Sequence, residues 1–188
     1  MLITLVVANQ KGGVGKTTTA LNLAASLSAA SRKVLLIDLD SQGNSTSGTG
    51  EEKNEASHSL IDILLNEDFP IEKAIEQTKY KFDLIPASVD LISAEIELGS
   101  LPNPTSLLKN KLSNMQASYD YVVIDCPPSL GMISVSALRA ASKVLIPLQC
   151  EYYSLEGLAS MSKTLREINE ATGENIEING ILRTMYDP

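Results

Sequence analysis

The sequence predicts a three-layer α/β fold, a mostly parallel central sheet with helices on both faces. Three observations carry that prediction. Short apolar runs bounded by turn residues recur along the chain, their Val, Ile and Leu content is near-continuous rather than alternating, and amphipathic helical patterns lie between them. Strands buried on both faces of a parallel sheet read this way, and right-handed crossovers connect them.

The elements follow in order. Leu2 to Ala8 reads as the first strand. A helix follows, with Ala20, Leu21, Leu23, Ala24 and Leu27 on one face. Val34 to Ile37 is the second strand, and Phe82 to Ile85 the third. Asn103 followed by Pro104 signals a helix start, with Leu107, Leu108, Leu112 and Met115 as its buried stripe. Tyr121 to Ile124 and Val144 to Ile146 are further strands. A last helix places Leu155, Leu158, Leu165 and Ile168 on one face and stops at Gly173, before a strand from Ile176 to Leu182. Between the second and third strands, Ser41 to Ser59 is rich in Gly, Ser, Thr, Asn and Glu, and it predicts a long polar loop of functional character at a strand end.

Composition narrows the function. A chain of 188 residues with 44% hydrophobic and 20% charged residues supports one globular domain. Fifteen basic against twenty-three acidic residues give a net charge of −8, so any polyanion is held locally rather than by the whole surface. Aromatic content of 4% without Trp supplies neither stacking platforms nor bilayer belts. Cys126 and Cys150 with a single histidine exclude a structural zinc, and both cysteines read as small buried residues near strand ends in a reducing cytosol. No apolar run approaches a spanning helix, which points to a cytoplasmic protein.

The chemistry begins directly after the first strand. Asn9-Gln10-Lys11-Gly12-Gly13-Val14-Gly15-Lys16-Thr17-Thr18 runs straight into the first helix, which is the context a phosphate-binding P-loop requires. Glycines let the backbone turn its N–H groups inward, the helix N-terminus adds a positive dipole end, and Lys16 supplies a point charge. Thr17 is placed to offer its hydroxyl to Mg²⁺. The strict pattern would put glycine where Gln10 stands, so this is a variant loop. A second lysine, Lys11, would repel Lys16 unless phosphate offsets it, since a triphosphate carries about four negative charges. A solvated loop lysine is the other role that fits the spacing.

Ligands of open parallel sheets sit beyond the carboxyl ends of the strands. The second strand delivers Asp38 and Asp40 there, and Tyr121 to Ile124 delivers Asp125. Asp125 follows a buried run, so its charge needs a partner, and Mg²⁺ reached through water is the natural one beside a P-loop; a turn cap is the alternative. For Asp38, support of the metal's water shell and a structural role in the loop fit equally.

Three motifs together resemble the ParA/MinD-type ATPases, the deviant Walker A group, and most of all its chromosome-partitioning ParA/Soj branch. They are Lys11 to Thr18, Asp38 to Thr46, and Val123 to Leu130, with continuing likeness at Glu151 to Gly157 and Thr184 to Asp187. The resemblance spans essentially the whole chain. It implies a P-loop NTPase fold, ATP and Mg²⁺ as ligands, and hydrolysis of ATP to ADP and phosphate by a dimerisation switch. It implies that Lys11 reaches across an ATP-sandwiched homodimer to the partner's phosphates, much as an arginine finger does. Lys16 then acts in catalysis and binding, and Gly12, Gly13, Val14, Gly15, Thr17 and Thr18 join Lys11 and Lys16 in the nucleotide cradle. Thr17 and Asp125 serve the metal, and Asp40 orients the attacking water.

Gln42, Gly43 and Asn44 would form one switch within the 41–59 loop, and Pro127-Pro128 to Gly131 a second. Thr184, Met185 and Tyr186 lie where adenine contacts arise, so Met185 reads as a wall for the base or equally as a plain core residue. One departure stands out: relatives usually carry proline where this chain has Ser41. The resemblance also implies a ParB-like stimulating partner, no membrane attachment, and further elements beyond Pro188 that carry DNA-contacting residues and nucleoid association. Without them, weak binding of nonspecific DNA is expected. The alternatives are a nucleotide-dependent interaction module without turnover, a MinD-like cell-division ATPase and an iron–sulfur relative, whose interface cysteines Cys126 and Cys150 do not match. His58 reads as a solvated loop residue.

Overall fold

In a computed structural model, residues 2–50, 60–88, 90–116 and 118–187 are described. They form a seven-stranded sheet: β1 (Ile3–Val7), β2 (Val34–Asp38), β3 (Glu76–Gln77), β4 (Asp83–Ile85), β5 (Tyr121–Asp125), β6 (Lys143–Gln149) and β7 (Glu177–Thr184). Across the sheet the order is β3-β4-β2-β5-β1-β6-β7, parallel throughout except for the antiparallel pair of β3 with β4. The α-helices are α1 (Lys16–Ala29), α2 (Asn44–Thr49), α3 (Leu60–Leu65), α4 (Leu91–Leu98), α5 (Leu107–Asn114), α6 (Met132–Ala140) and α7 (Tyr152–Thr172). This is the predicted α/β architecture.

Strand periodicity sorts the core onto two faces. Val7, Val34, Leu36 and Val123 point to α1 and pack on Ala20 and Ala24, while Val6, Leu35, Ile37, Val122 and Ile124 point to the other face. That second face is covered by apolar residues of α3 to α7, among them Leu64, Leu98, Leu108, Ala137 and Leu165. Ala20 and Ala24 let α1 lie close to the sheet, and its Leu21, Leu23 and Leu27 are only partly buried against it. Among the described residues, no helix is long and apolar enough to cross a membrane.

Several expectations need correction. Leu155 is 61% exposed, because α7 turns the face of Met161, Leu165 and Ile168 to the sheet. Met115 ends the α5 stripe as an extended, half-buried residue outside the helix. β7 forms where a strand is expected, at the edge of the sheet, and its Ile178, Ile181 and Leu182 are exposed. Cys126 is buried, as expected, but Cys150 is exposed, because the chain has left β6 before it reaches that residue. Within the predicted 41–59 loop, Asn44–Thr49 is helical, while 51–59, including His58, lies outside the described residues.

Candidate functional site

β5 lies between β1 and β2, and the register sets Val7, Asp125 and Asp38 side by side at the carboxyl ends of three adjacent strands. The strand ends predicted to share a site are therefore neighbours. From β1 the chain enters the glycine loop, where Gly13 (φ 72°) and Gly15 (φ 90°) take left-handed backbone that other residues avoid. No side chain caps the α1 N-terminus at Gly15, which leaves the first-turn N–H groups directed at the loop. Lys16, the first residue of α1, is buried, and its Nζ donates to the Lys11 carbonyl at 3.1 Å. Burial lowers the Lys16 pKa from its ordinary value, opposed by the charges of Asp125 and Asp40.

Asp125 is fully buried at the floor of this loop. Its Oδ2 accepts from the Ser45 hydroxyl at 2.7 Å, and the Thr17 hydroxyl also favours its charged form. Its Oδ1 is buried without a hydrogen-bond partner. Burial outweighs those hydrogen bonds and, with Asp38 nearby, pushes the carboxyl up to about 7. A buried carboxylate oxygen without a partner, beside a threonine hydroxyl, is a donor set that suits a hard dication. Among the described residues no three His, Cys, Asp or Glu side chains converge on one point, so any such ion would complete its shell with phosphate oxygens and water.

Asp38 does something different. Its Oδ2 accepts from the Thr46 backbone N–H and the Thr46 hydroxyl, both at 2.8 Å, and its Oδ1 from the Asp40 N–H at 3.2 Å. The Thr46 hydroxyl in turn accepts from the Ala87 N–H at 2.9 Å, which ties β2, α2 and the segment after β4 together. Of the two roles the sequence left open, these contacts favour loop support. Burial raises the Asp38 pKa against those hydrogen bonds. Asp38→Ala leaves the Thr46 donors buried without an acceptor and is expected to lower unfolding free energy by about 2–4 kcal/mol, measured by urea denaturation.

The remaining predicted residues fall around the same rim. Asp40 is half-buried and closes a turn, with Oδ1 accepting from the Gln42 N–H at 2.9 Å and its carbonyl from the Gly43 N–H at 2.7 Å. Lys11 points away from Lys16: its Nζ pairs with Glu151 Oε2 at 2.6 Å. Met185 (φ 50°) is 70% exposed, which excludes the core reading. Gln149 Nε2 bridges it to the loop, donating to the Gly13 carbonyl and the Met185 Sδ, and the Thr184 hydroxyl donates to the Val14 carbonyl at 2.9 Å.

The sequence reading assigned no role to Ser45, Gln149 or Asn9. Asn9 Oδ1 accepts from the Lys11 N–H at 2.9 Å while its Nδ2 donates to the Pro147 carbonyl at 2.7 Å, which fixes the entry to the loop. Only the position of Asn9 at a strand end hinted at this. Cavity size is no guide here. A cavity of about 830 Å³ is lined by Leu2, Thr4 and Ser142 at the opposite end of the strands.

Residues 3–178 match a family model described as an AAA domain. The chain is 46% identical over 184 residues to the chromosome partitioning protein ParA of Myxococcus xanthus (strain DK1622), which covers 97% of this chain and 65% of that protein. It is 44% identical over 183 residues to the sporulation initiation inhibitor protein Soj of Bacillus subtilis (strain 168), covering 97% of this chain and 72% of that one. Among solved structures, cobyrinic acid a,c-diamide synthase from Mycobacterium smegmatis with bound ATP analog and magnesium superposes with a TM-score of 0.93 at 37% identity, over 100% of this chain and 76% of that one.

Proposed function

The chain belongs to the ParA/Soj family of partition proteins, and from that membership we propose that it is a Mg²⁺-dependent ATPase whose ATP-bound form pairs with a second copy to serve DNA partition. The observation that carries the reading is the meeting of buried Lys16, Thr17 and the unpartnered Asp125 Oδ1 under one glycine loop. The loop N–H groups and the α1 N-terminus bind the phosphates of ATP, and Lys16 places its ammonium against them. Thr17 and Asp125 would hold Mg²⁺, Asp125 through water, and the ion would supply neutralisation of phosphate charge. Asp40 orients the attacking water; phosphoryl transfer proceeds through a loose transition state, so position matters more than basicity. Gly12, Gly13, Val14, Gly15 and Thr18 line the phosphates, and Met185, held to the loop by Gln149, flanks the base. A ParB-like protein is the stimulating partner in this reading.

Lys11 serves the other copy. Its ammonium lies on Glu151 rather than over its own cradle, in a pair 37% and 57% exposed. Exposed pairs of this kind are worth about 0–1 kcal/mol, so a partner's phosphate displaces Glu151 at little cost. Lys11→Ala is expected to take up ATP within about 3-fold of wild type, to stay monomeric with ATP, and to release phosphate at least about 10³-fold more slowly, as for loss of an arginine finger. Light scattering with and without ATP, calorimetry and a phosphate assay on both proteins test this. A wild type that stays monomeric with ATP, or an Lys11→Ala variant that turns over normally, overturns the dimer mechanism.

A further inference from the structure

The amino ends of β4, β2 and β5 lie side by side, at the end of the sheet away from the glycine loop. The segments leading into them, 31–33, 78–82 and 118–120, enclose a cleft of about 370 Å³ walled by Arg32, Lys33, Lys81, Asp83 and Tyr119. That volume falls within the about 300–1,000 Å³ of small-molecule sites. The walls are cross-tied. Ser28 Oγ donates to the Lys81 carbonyl at 2.8 Å, which joins the end of α1 to the turn before β4. The Asp120 N–H donates to the Lys33 carbonyl at 2.8 Å, and Asp120 Oδ2 accepts from the Lys33 N–H at 2.9 Å, which fixes the third segment against the first. Ser31 (φ 62°) and Lys81 (φ 64°) hold left-handed backbone, a conformation costly to ordinary side chains and concentrated at binding sites.

On a chain with net charge −8, this end of the sheet is basic. Residues 31–33, 78–83 and 118–120 set Arg32, Lys33, Lys79 and Lys81 against Asp83 and Asp120. Elsewhere Lys11, Lys109, Arg139, Lys143 and Lys163 each sit on a glutamate, whereas Arg32, Lys33 and Lys81 pair with no carboxylate among the described residues. Nor are these cations spent on the end of α1, because the N–H groups of Ser31 and Arg32 already take the Ser28 and Leu27 carbonyls. Both acids are engaged. Asp120 holds the Lys33 backbone, and Asp83 Oδ2 accepts from the Tyr119 hydroxyl at 2.7 Å. Asp83 Oδ1, with no hydrogen bond among the described residues, keeps its accepting capacity.

Three unpaired cations around a cleft suit a multiply charged anion, and phosphate matches the guanidinium fork and accepts several charge-assisted bonds. The carboxylate in the same cleft repels a bare anion and accepts from hydroxyl groups. A phosphate ester of a polyhydroxylated body complements both. We propose that this cleft is a binding site for a phosphorylated sugar. Arg32, Lys33 and Lys81 hold the phosphate, and Asp83, oriented by Tyr119, accepts from the sugar hydroxyls. The five residues of β2, about 17 Å, separate the cleft from the glycine loop, so the two sites fill independently. The site does not rest on the ATPase reading.

Calorimetric titration of the whole chain with ribose 5-phosphate, glucose 6-phosphate, ribose and inorganic phosphate tests this. One equivalent of a sugar phosphate is expected to bind, tighter than ribose or inorganic phosphate by about 10-fold or more. Arg32→Gln/Lys81→Asn weakens that binding by about 10-fold or more. Asparagine tolerates the left-handed backbone at position 81, and urea melts confirm that the variant folds. Asp83→Asn can still accept from Tyr119, and it narrows the preference for sugar phosphate over inorganic phosphate by about 3-fold or more. Lys16→Ala leaves sugar phosphate binding within about 2-fold, as for distant sites. No uptake, equal binding of inorganic phosphate, a preference unmoved by Asp83→Asn, or uptake that follows Lys16 rather than Arg32 and Lys81 overturns the proposal. So does binding of a DNA duplex or of phosphatidylinositol vesicles that depends on Arg32 and Lys81 while the free sugar phosphates are ignored. Phosphate release from ATP is followed on the same samples, so failure of the ATPase reading is scored apart from failure of this site.

Discussion

Replacing Lys16 with alanine is expected to lower phosphate release by about 10²–10³-fold, the scale of removing one preorganised charge donor from a transition state. The argument starts from burial. Lys16 is 7% exposed, and its pKa is lowered because its ammonium has left water. Its hydrogen bond in the structure is to a neutral carbonyl, that of Lys11. A polyphosphate supplies the anionic partner such an ammonium lacks, through charge-assisted bonds worth about 1.5–3 kcal/mol, so ATP affinity is expected to fall by roughly 10–10²-fold as well. Stability changes less, because the Lys16 head group lies outside both apolar clusters and alanine suits a helix start. Calorimetric titration with Mg-ATP and a phosphate assay decide the matter. A Lys16→Ala enzyme with wild-type turnover would remove the P-loop from the mechanism.

Asp125→Asn is expected to separate stability from activity. Burial raises the Asp125 carboxyl from an ordinary 3.8 to about 7, so between those values the folded chain binds a proton that the unfolded chain does not. Its contribution to stability is therefore fully present below about pH 4 and lost as pH rises through about 7. At pH 8 the nucleotide-free protein carries a buried charge with one unpartnered oxygen, and asparagine removes that charge. Urea melts without Mg²⁺ are expected to show the variant at least as stable as wild type at pH 8, with a flatter decline from pH 5 to 8. Some slope remains, because Asp38 is also raised by burial and acts with the same sign. Phosphate release at saturating Mg²⁺ falls by about 10²-fold or more, since the amide cannot replace the carboxylate at the metal. Unimpaired turnover, or a wild type that gains stability over this pH range, contradicts the assignment.

The parts of the site that were legible in the sequence are those written in local spacing. Lys11 to Thr18 follow a strand and open a helix, and the two acidic strand ends are flagged by the apolar runs before them. That the three strand ends share a site followed from the rule for ligands of parallel sheets, whereas the order β2-β5-β1 that brings them together is a tertiary fact the local pattern does not carry. What escaped is held by tertiary contact. The α2 segment Asn-Ser-Thr-Ser-Gly-Thr has no apolar period, and its first turn is anchored by Asp38 on another element. Leu155 fits a helical stripe by spacing, yet the helix turns that position outward. β3 is two residues long and has no signature of its own. The Gln149 link between Gly13 and Met185 joins positions too far apart in the chain for any pattern to reveal.

The two sulfurs differ in chemical character. Cys126 is enclosed, and burial beside the Asp125 charge holds its thiol protonated, which denies it the thiolate form that alkylating reagents and oxidants attack. Cys150 lies open, one residue before the carboxylate that engages Lys11. The molecule thus carries a single addressable handle, and a fluorophore attached there would sit where it can report, in real time, whether that lysine is parked or released.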